Sequence, residues 1–163
     1  MARTPSNMIS LGSIAPDFIL IDVTSASNFS LKENKGTVGT VIMFICNHCP
    51  YVKHVNPTIS KLAKEYQSDE IKFIAISSND VVNYPEDSPE KMKKNAIEND
   101  FNFPYLYDDN LKLVYRGQLD DSRPGNEIES NGNDIKNAID CLINRIENND
   151  LQKPSIGCNI KWK

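Results

Sequence analysis

The chain has 163 residues, 39% hydrophobic and 25% charged, which is enough for one domain with a hydrophobic core. A net charge of -4 leaves no basic footprint for nucleic acid, and no apolar stretch approaches the roughly 20 residues that span a bilayer. The start, Met1-Ala2-Arg3-Thr4-Pro5-Ser6-Asn7, lacks a charged region followed by an apolar run, so the expected setting is cytoplasmic and reducing. Four cysteines there point to catalysis, metal binding or incidental use rather than a disulfide framework.

Phe18 to Val23 reads as a strand, Thr24 to Asn28 as a polar connection, and Phe29 to Leu31 as a short second strand. Thr40 to Ile45 is apolar without alternation, which predicts a central strand buried on both faces. Cys46-Asn47-His48-Cys49 follows directly. Beyond it Val52, Val55, Ile59, Leu62 and Tyr66 recur at steps of three and four, the stripe of an amphipathic helix, with Pro50 suited to its first turn and Pro57 expected to kink it. Ile71 to Ser77 repeats the buried-strand pattern, so strand, helix and strand imply a right-handed parallel crossover.

Asn79 to Asp87 is polar and turn-rich, and Ser88-Pro89-Glu90 signals a helix start, with the helix running to about Asp100. Phe103 to Tyr107 and Leu111 to Arg116 read as short strands. Ile135, Ala138, Ile139, Leu142, Ile143 and Ile146 define another amphipathic helix. Cys141 falls about 130° round from the centre of that stripe, which predicts a flank or surface residue. From about Asn148 to Lys163 the tail is mostly polar and is expected to lie on the surface. With no repeat and no long linker, residues 1–163 read as a single domain.

A Cys-x-x-Cys at a strand-to-helix turn is first a redox pair. The amino end of a helix has unpaired N–H groups and a partial positive charge, which stabilise a thiolate. Cys46 is then the nucleophile and Cys49 the resolving thiol. His48 between them is a candidate for tuning the thiolate. The competing reading is metal binding to zinc, copper(I) or an iron-sulfur cluster through Cys46, Cys49, His48 or His54, with Cys158 as a further ligand. A third is a non-catalytic module acting through surface contacts. The lysines Lys91, Lys93 and Lys94 read as a solvated helix face, and no Gly-rich phosphate loop calls for an organic cofactor.

Five blocks carry a family resemblance: Ala15-Pro16-Asp17-Phe18; Cys46 to His54; Ser77-Ser78-Asn79-Asp80; Tyr115-Arg116-Gly117-Gln118-Leu119-Asp120-Asp121-Ser122-Arg123-Pro124; and Gly157-Cys158-Asn159-Ile160-Lys161-Trp162-Lys163. Over nearly its whole length the chain resembles the thioredoxin-like redoxins of the alkyl hydroperoxide reductase and thiol-specific antioxidant (AhpC/TSA, peroxiredoxin-like) superfamily. The resemblance implies an α/β thioredoxin-like fold, a central mixed sheet flanked by helices. It also implies an oxidoreductase with disulfide or peroxide-reducing, antioxidant chemistry, acting on a thiol, disulfide or peroxide substrate and recharged by a cellular thiol. His48 resembles the histidine of strongly oxidising disulfide catalysts. Peroxiredoxins place a threonine three residues before the peroxidatic cysteine; Cys46 occupies that place, which makes Cys49 the peroxidatic equivalent. Arg116 is the positional candidate for the arginine that polarises peroxide, and Cys158, in the tail motif, for a second resolving thiol.

The chain departs from the family in one place. Members usually carry a helix, a Thr-Pro turn with a cis proline and a strand between the segments ending at Tyr107 and starting at Leu111. Asp108-Asp109-Asn110 alone joins them here, and Pro104, Pro124 and Pro154 are not substitutes. The expectation is a smaller or rearranged sheet.

Overall fold

The computed structural model describes residues 3–101 and 113–161. Its first strand is β1 (Thr4–Pro5). β2 (Ile19–Asp22) and β3 (Ser27–Ser30) form an antiparallel hairpin with Ile19 opposite Ser30 and Asp22 opposite Ser27. The second strand stops one residue short of the expected Leu31. The Ser30 side chain accepts from the Glu33 N–H and turns the chain into a single helical turn, α1 (Leu31–Asn34), whose Leu31 is fully buried. Asp17 Oδ1 accepts from the N–H of Phe18 (2.9 Å) and of Lys32 (3.2 Å), so the Ala15–Phe18 block ties this unit together.

β4 (Gly39–Phe44) is followed by α2 (Pro50–Tyr66) and β5 (Ile71–Ile76), and the two strands pair in parallel from Gly39 opposite Ile71 to Phe44 opposite Ile76. The expected crossover is present. β4 is not buried along its length: Thr40 and Val41 are, whereas Phe44 is 62% exposed. Among the described residues β4 and β5 form a two-stranded parallel sheet. The strand expected at Phe103–Tyr107 and the connector Asp108–Asn110 lie outside the described residues, among which no peptide bond is cis. Of the strand expected at Leu111–Arg116, residues 113–116 are irregular, with Leu113 exchanging backbone hydrogen bonds with Gly12 and Ser13 (both 2.8 Å).

After a 3-10 turn at Pro85–Asp87 comes α3 (Pro89–Glu98), capped as expected by Ser88. α4 (Asn133–Ile143) ends before the expected Ile146, which is exposed. Gly132 at its N-cap has a left-handed φ of 72°, and a Cβ there would sit 2.6 Å from Leu62 Cδ1, so only glycine lets α4 start this close to α2. One core results: Val41, Ile71 and Phe73 from the sheet, Leu62 and Ala63 from α2, Ala138 and Ile139 from α4, and Tyr115. Each of the Val, Leu, Ile and Phe side chains contributes about 1.5–3 kcal/mol by leaving water.

The tail lies on the surface and is fastened there. β6 (Ile156–Gly157) pairs antiparallel with β1, and Asp80 donates to Lys161 O (2.7 Å). The tail also explains Cys141, which is 8% exposed and not the flank or surface residue expected. The segment after α4 folds back so that Asp150 accepts from Asn137, one turn before Cys141, and lies close enough to oppose its ionisation.

Candidate active site

β4 delivers the Cys-x-x-Cys to the amino end of α2. Ile45 still donates to Ile76 O (3.0 Å), so the backbone is held in the sheet up to Cys46. Cys49 is the N-cap with extended backbone, Pro50 takes the first helical position, and the first helical bond runs from Lys53 N to Cys49 O (3.0 Å). Proline has no N–H to leave unpaired there. Cys46 is half-buried; Cys49 is 3% exposed, its sulfur at the positive end of the helix.

A second wall comes from the turn after β5. Asp87, fully buried, receives Asn47 N–H on Oδ1 (2.8 Å) and both His48 Nδ1–H (2.7 Å) and Asn79 Nδ2–H (2.8 Å) on Oδ2. The Asn47 side chain adds a bond to Glu86 O (2.8 Å), and the Tyr84 ring stacks on the imidazole with centroids 5.7 Å apart. His48 is therefore fixed in orientation, with its proton on Nδ1 when the ring is neutral. This is not the free turn residue that its place between two cysteines would also allow. Asp87 is a site residue the sequence reading missed: it falls at the end of a polar stretch 39 positions from His48, and nothing local marks it.

The sulfur atoms form a row. The neighbouring Cys49 sulfur, burial and the negative Asp87 raise the Cys46 pKa, against a weaker pull from the Cys49 N–H. Cys49 is shifted the other way, from its ordinary value near 9 to about 4. The Cys46 S–H is the main cause; burial opposes it, and the Val52 N–H and the N–H and S–H of Cys158 assist. The Cys49 side chain makes no cap hydrogen bond to the helix. Burial and the Cys49 charge push the Cys158 thiol up. The shifts of Cys46 and Cys49 oppose each other, so the two thiols titrate as a unit.

Cys158, the candidate from the tail motif, lies close enough to Cys49 for each to shift the other's ionisation. Arg116 is engaged away from the sulfur row: its N–H and Nη1 both donate to Gln152 Oε1 (3.1 and 2.8 Å). His54 lies one turn into α2, half-buried, with Nε2 unpartnered among the described residues. The metal set expected from Cys46, Cys49 and His54 does not form the tightest donor group. Cys46, His48 and Asp87 do, with ligand atoms within 4.8 Å of one another. The Tyr115–Pro124 block is a structural knot. Asp120 Oδ1 accepts from Ser122 N and Oγ, and Oδ2 accepts from Ser130 Oγ, Asn131 N and Gly132 N, all at 2.6–2.9 Å. Burial works against the Asp120 charge, but these donors outweigh it and hold the pKa below the usual value.

The AhpC/TSA family model matches residues 11–121, more than half of the chain, and that span holds the Cys-x-x-Cys, His48 and Asp87. The chain belongs to the AhpC/TSA family. Members of this family are generally oxidoreductases of thiol-dependent redox or peroxidase-like function. The AhpC/TSA fold here is similar over 100% of the chain and 97% of the other to the crystal structure of an uncharacterized conserved protein from Geobacillus kaustophilus, at 46% identity and a TM-score of 0.95. It is similar over 98% of both chains to a hypothetical protein from Sinorhizobium meliloti 1021, at 35% identity and a TM-score of 0.93. No curated protein matches this AhpC/TSA chain. Among its described residues, no helix is long and apolar enough to cross a membrane.

Proposed function

We propose that this AhpC/TSA protein is a thiol-disulfide oxidoreductase working through Cys46 and Cys49. The supporting observation is the placement of the Cys-x-x-Cys at the amino end of α2, with Cys46 half-buried and Cys49 the buried N-cap. The half-exposed Cys46 meets the substrate. As its sulfur bonds to a substrate disulfide sulfur, its proton passes to the Cys49 thiolate and the substrate's other sulfur leaves with its electron pair. The proton on Cys49 then goes to that leaving thiolate. Cys49 attacks Cys46, the second substrate thiolate departs, and a Cys46–Cys49 disulfide remains for a cellular thiol to reduce. With a peroxide the reacting thiolate becomes a sulfenic acid, and attack by the other thiol releases water. His48, held by Asp87 and Tyr84, keeps a fixed dipole beside Cys46 throughout.

The test is a redox titration of metal-free protein. A reversible two-electron couple mapped to a Cys46–Cys49 disulfide, with that disulfide lost in Cys46→Ser and in Cys49→Ser, supports the proposal. A pair that stays reduced across the range sinks it. The convergence of Cys46, His48 and Asp87 favours one second reading, a soft-metal site, and stoichiometric zinc or copper on protein as isolated would select it.

A further inference from the structure

The sulfur row does not end at Cys49, and the tail that supplies its third member is held on both sides. Before Cys158, β6 pairs with β1, Ser6 donates to Ser155 O (2.8 Å), and Ser155 donates to Ser6 Oγ (3.1 Å). After it, Lys161 N donates to Asn79 Oδ1 (2.8 Å) and Lys161 O accepts from Asp80 N (2.7 Å). Asn79 is the residue whose amide also holds Asp87, so one side chain fastens both the His48 wall and the tail. β6 lies against α2, which brings Cys158 close enough to Cys49 for its N–H and S–H to favour the Cys49 thiolate. A thiol pinned three residues from an anchor on each side stands at high effective concentration against its neighbour.

From this juxtaposition we infer that Cys49 exchanges disulfide partners between Cys46 and Cys158, so that the site is a three-thiol relay rather than a pair. The inference rests on the redox reading of Cys46 and Cys49. Starting from the Cys46–Cys49 disulfide, Cys158 gives its proton to solvent and its sulfur bonds to Cys49 Sγ. The Cys46–Cys49 bond breaks, its electron pair stays on Cys46, and Cys46 takes up a proton. One disulfide is present before and after, so no oxidant or reductant enters. The consequence is directional in space. The oxidising equivalent moves from the half-exposed Cys46 to the inner side of the site, Cys46 is restored as a free thiol, and the tail becomes covalently joined to the first turn of α2.

Tryptic mapping reads this directly. Cys46 and Cys49 share the peptide spanning residues 36–53, whereas Cys158 lies in the peptide spanning 146–161, since Lys153 precedes a proline and is not cut. Reduced protein is oxidised with limiting diamide, quenched in acid at intervals, alkylated and digested. The expected result is an intrapeptide disulfide in 36–53 that gives way in part to a 36–53/146–161 cross-link. Cys46→Ser should give the cross-link as its main intramolecular product, and Cys158→Ser should lose it altogether while keeping the intrapeptide disulfide. Wild-type protein that forms the intrapeptide disulfide but never the cross-link, with Cys46→Ser giving only adducts or dimers, overturns the relay and leaves the redox pair standing. Absence of the intrapeptide disulfide in wild type overturns both. Because the cross-link is read in wild-type protein, a variant that fails to fold does not remove the test.

Discussion

At Cys49 the Cys46 thiol, the Val52 N–H at the helix end and the N–H and S–H of Cys158 favour the thiolate against burial, and its charge decides how the site responds to pH. The ultraviolet thiolate absorbance of reduced protein should show one ionisation per chain centred near pH 4. Cys46→Ala removes the largest cause of that shift, and the midpoint should climb towards the ordinary thiol range. Because the folded pKa of Cys49 lies below its unfolded value, its contribution to stability is full above pH 9 and is lost as pH falls through about 4. Cys46 has the opposite sign: its contribution is present below its unfolded value near 9 and fades as pH rises through the folded one. Asp87→Asn removes a negative charge facing Cys46 and an acceptor from His48 and Asn79. The second ionisation of the pair should then move to lower pH, and the urea midpoint should report a loss of about 1–3 kcal/mol.

Local elements were largely legible, because their signals lie within a few residues. The α2 stripe, the apolar runs of β4 and β5, the Ser88 cap and the α4 period each appear where their side-chain spacing puts them. What spacing could not show is what covers each face. Cys141 sits off the α4 stripe and is nonetheless buried, with the segment around Asp150 returning to α4 one turn away at Asn137. Two variants test these element-scale contacts. Asp120→Ala strips five hydrogen bonds from a buried loop and should destabilise by about 2–4 kcal/mol, read by denaturant melting. Gly117→Ala, at φ 150°, would put a Cβ 2.3 Å from Lys153 O. The tail should be displaced there, with faster hydrogen exchange at residues 152–158 and a loss of about 1–3 kcal/mol.

Over the whole molecule, the site is assembled from parts distant in the chain: the Cys46–Cys49 turn, Asp87 at the end of a 3-10 turn, and Cys158 on the tail. The AhpC/TSA fold and the cysteine pair could be read from sequence because their pattern is local or shared with the family. Asp87 could not, since its role comes from a return of the chain that packing decides, and for Cys158 the motif marked a candidate without placing it. The arrangement predicts that β1, β6 and the Asn79–Lys161 bonds hold the tail against α2, so the tail is part of the site. The most direct measurement of the central claim is the redox titration of Cys46 and Cys49 with thiol counting by mass spectrometry on metal-free protein. The account predicts a reversible two-electron disulfide on Cys49, lost when Cys49 is replaced by serine. Thiols that stay reduced at every potential would contradict it.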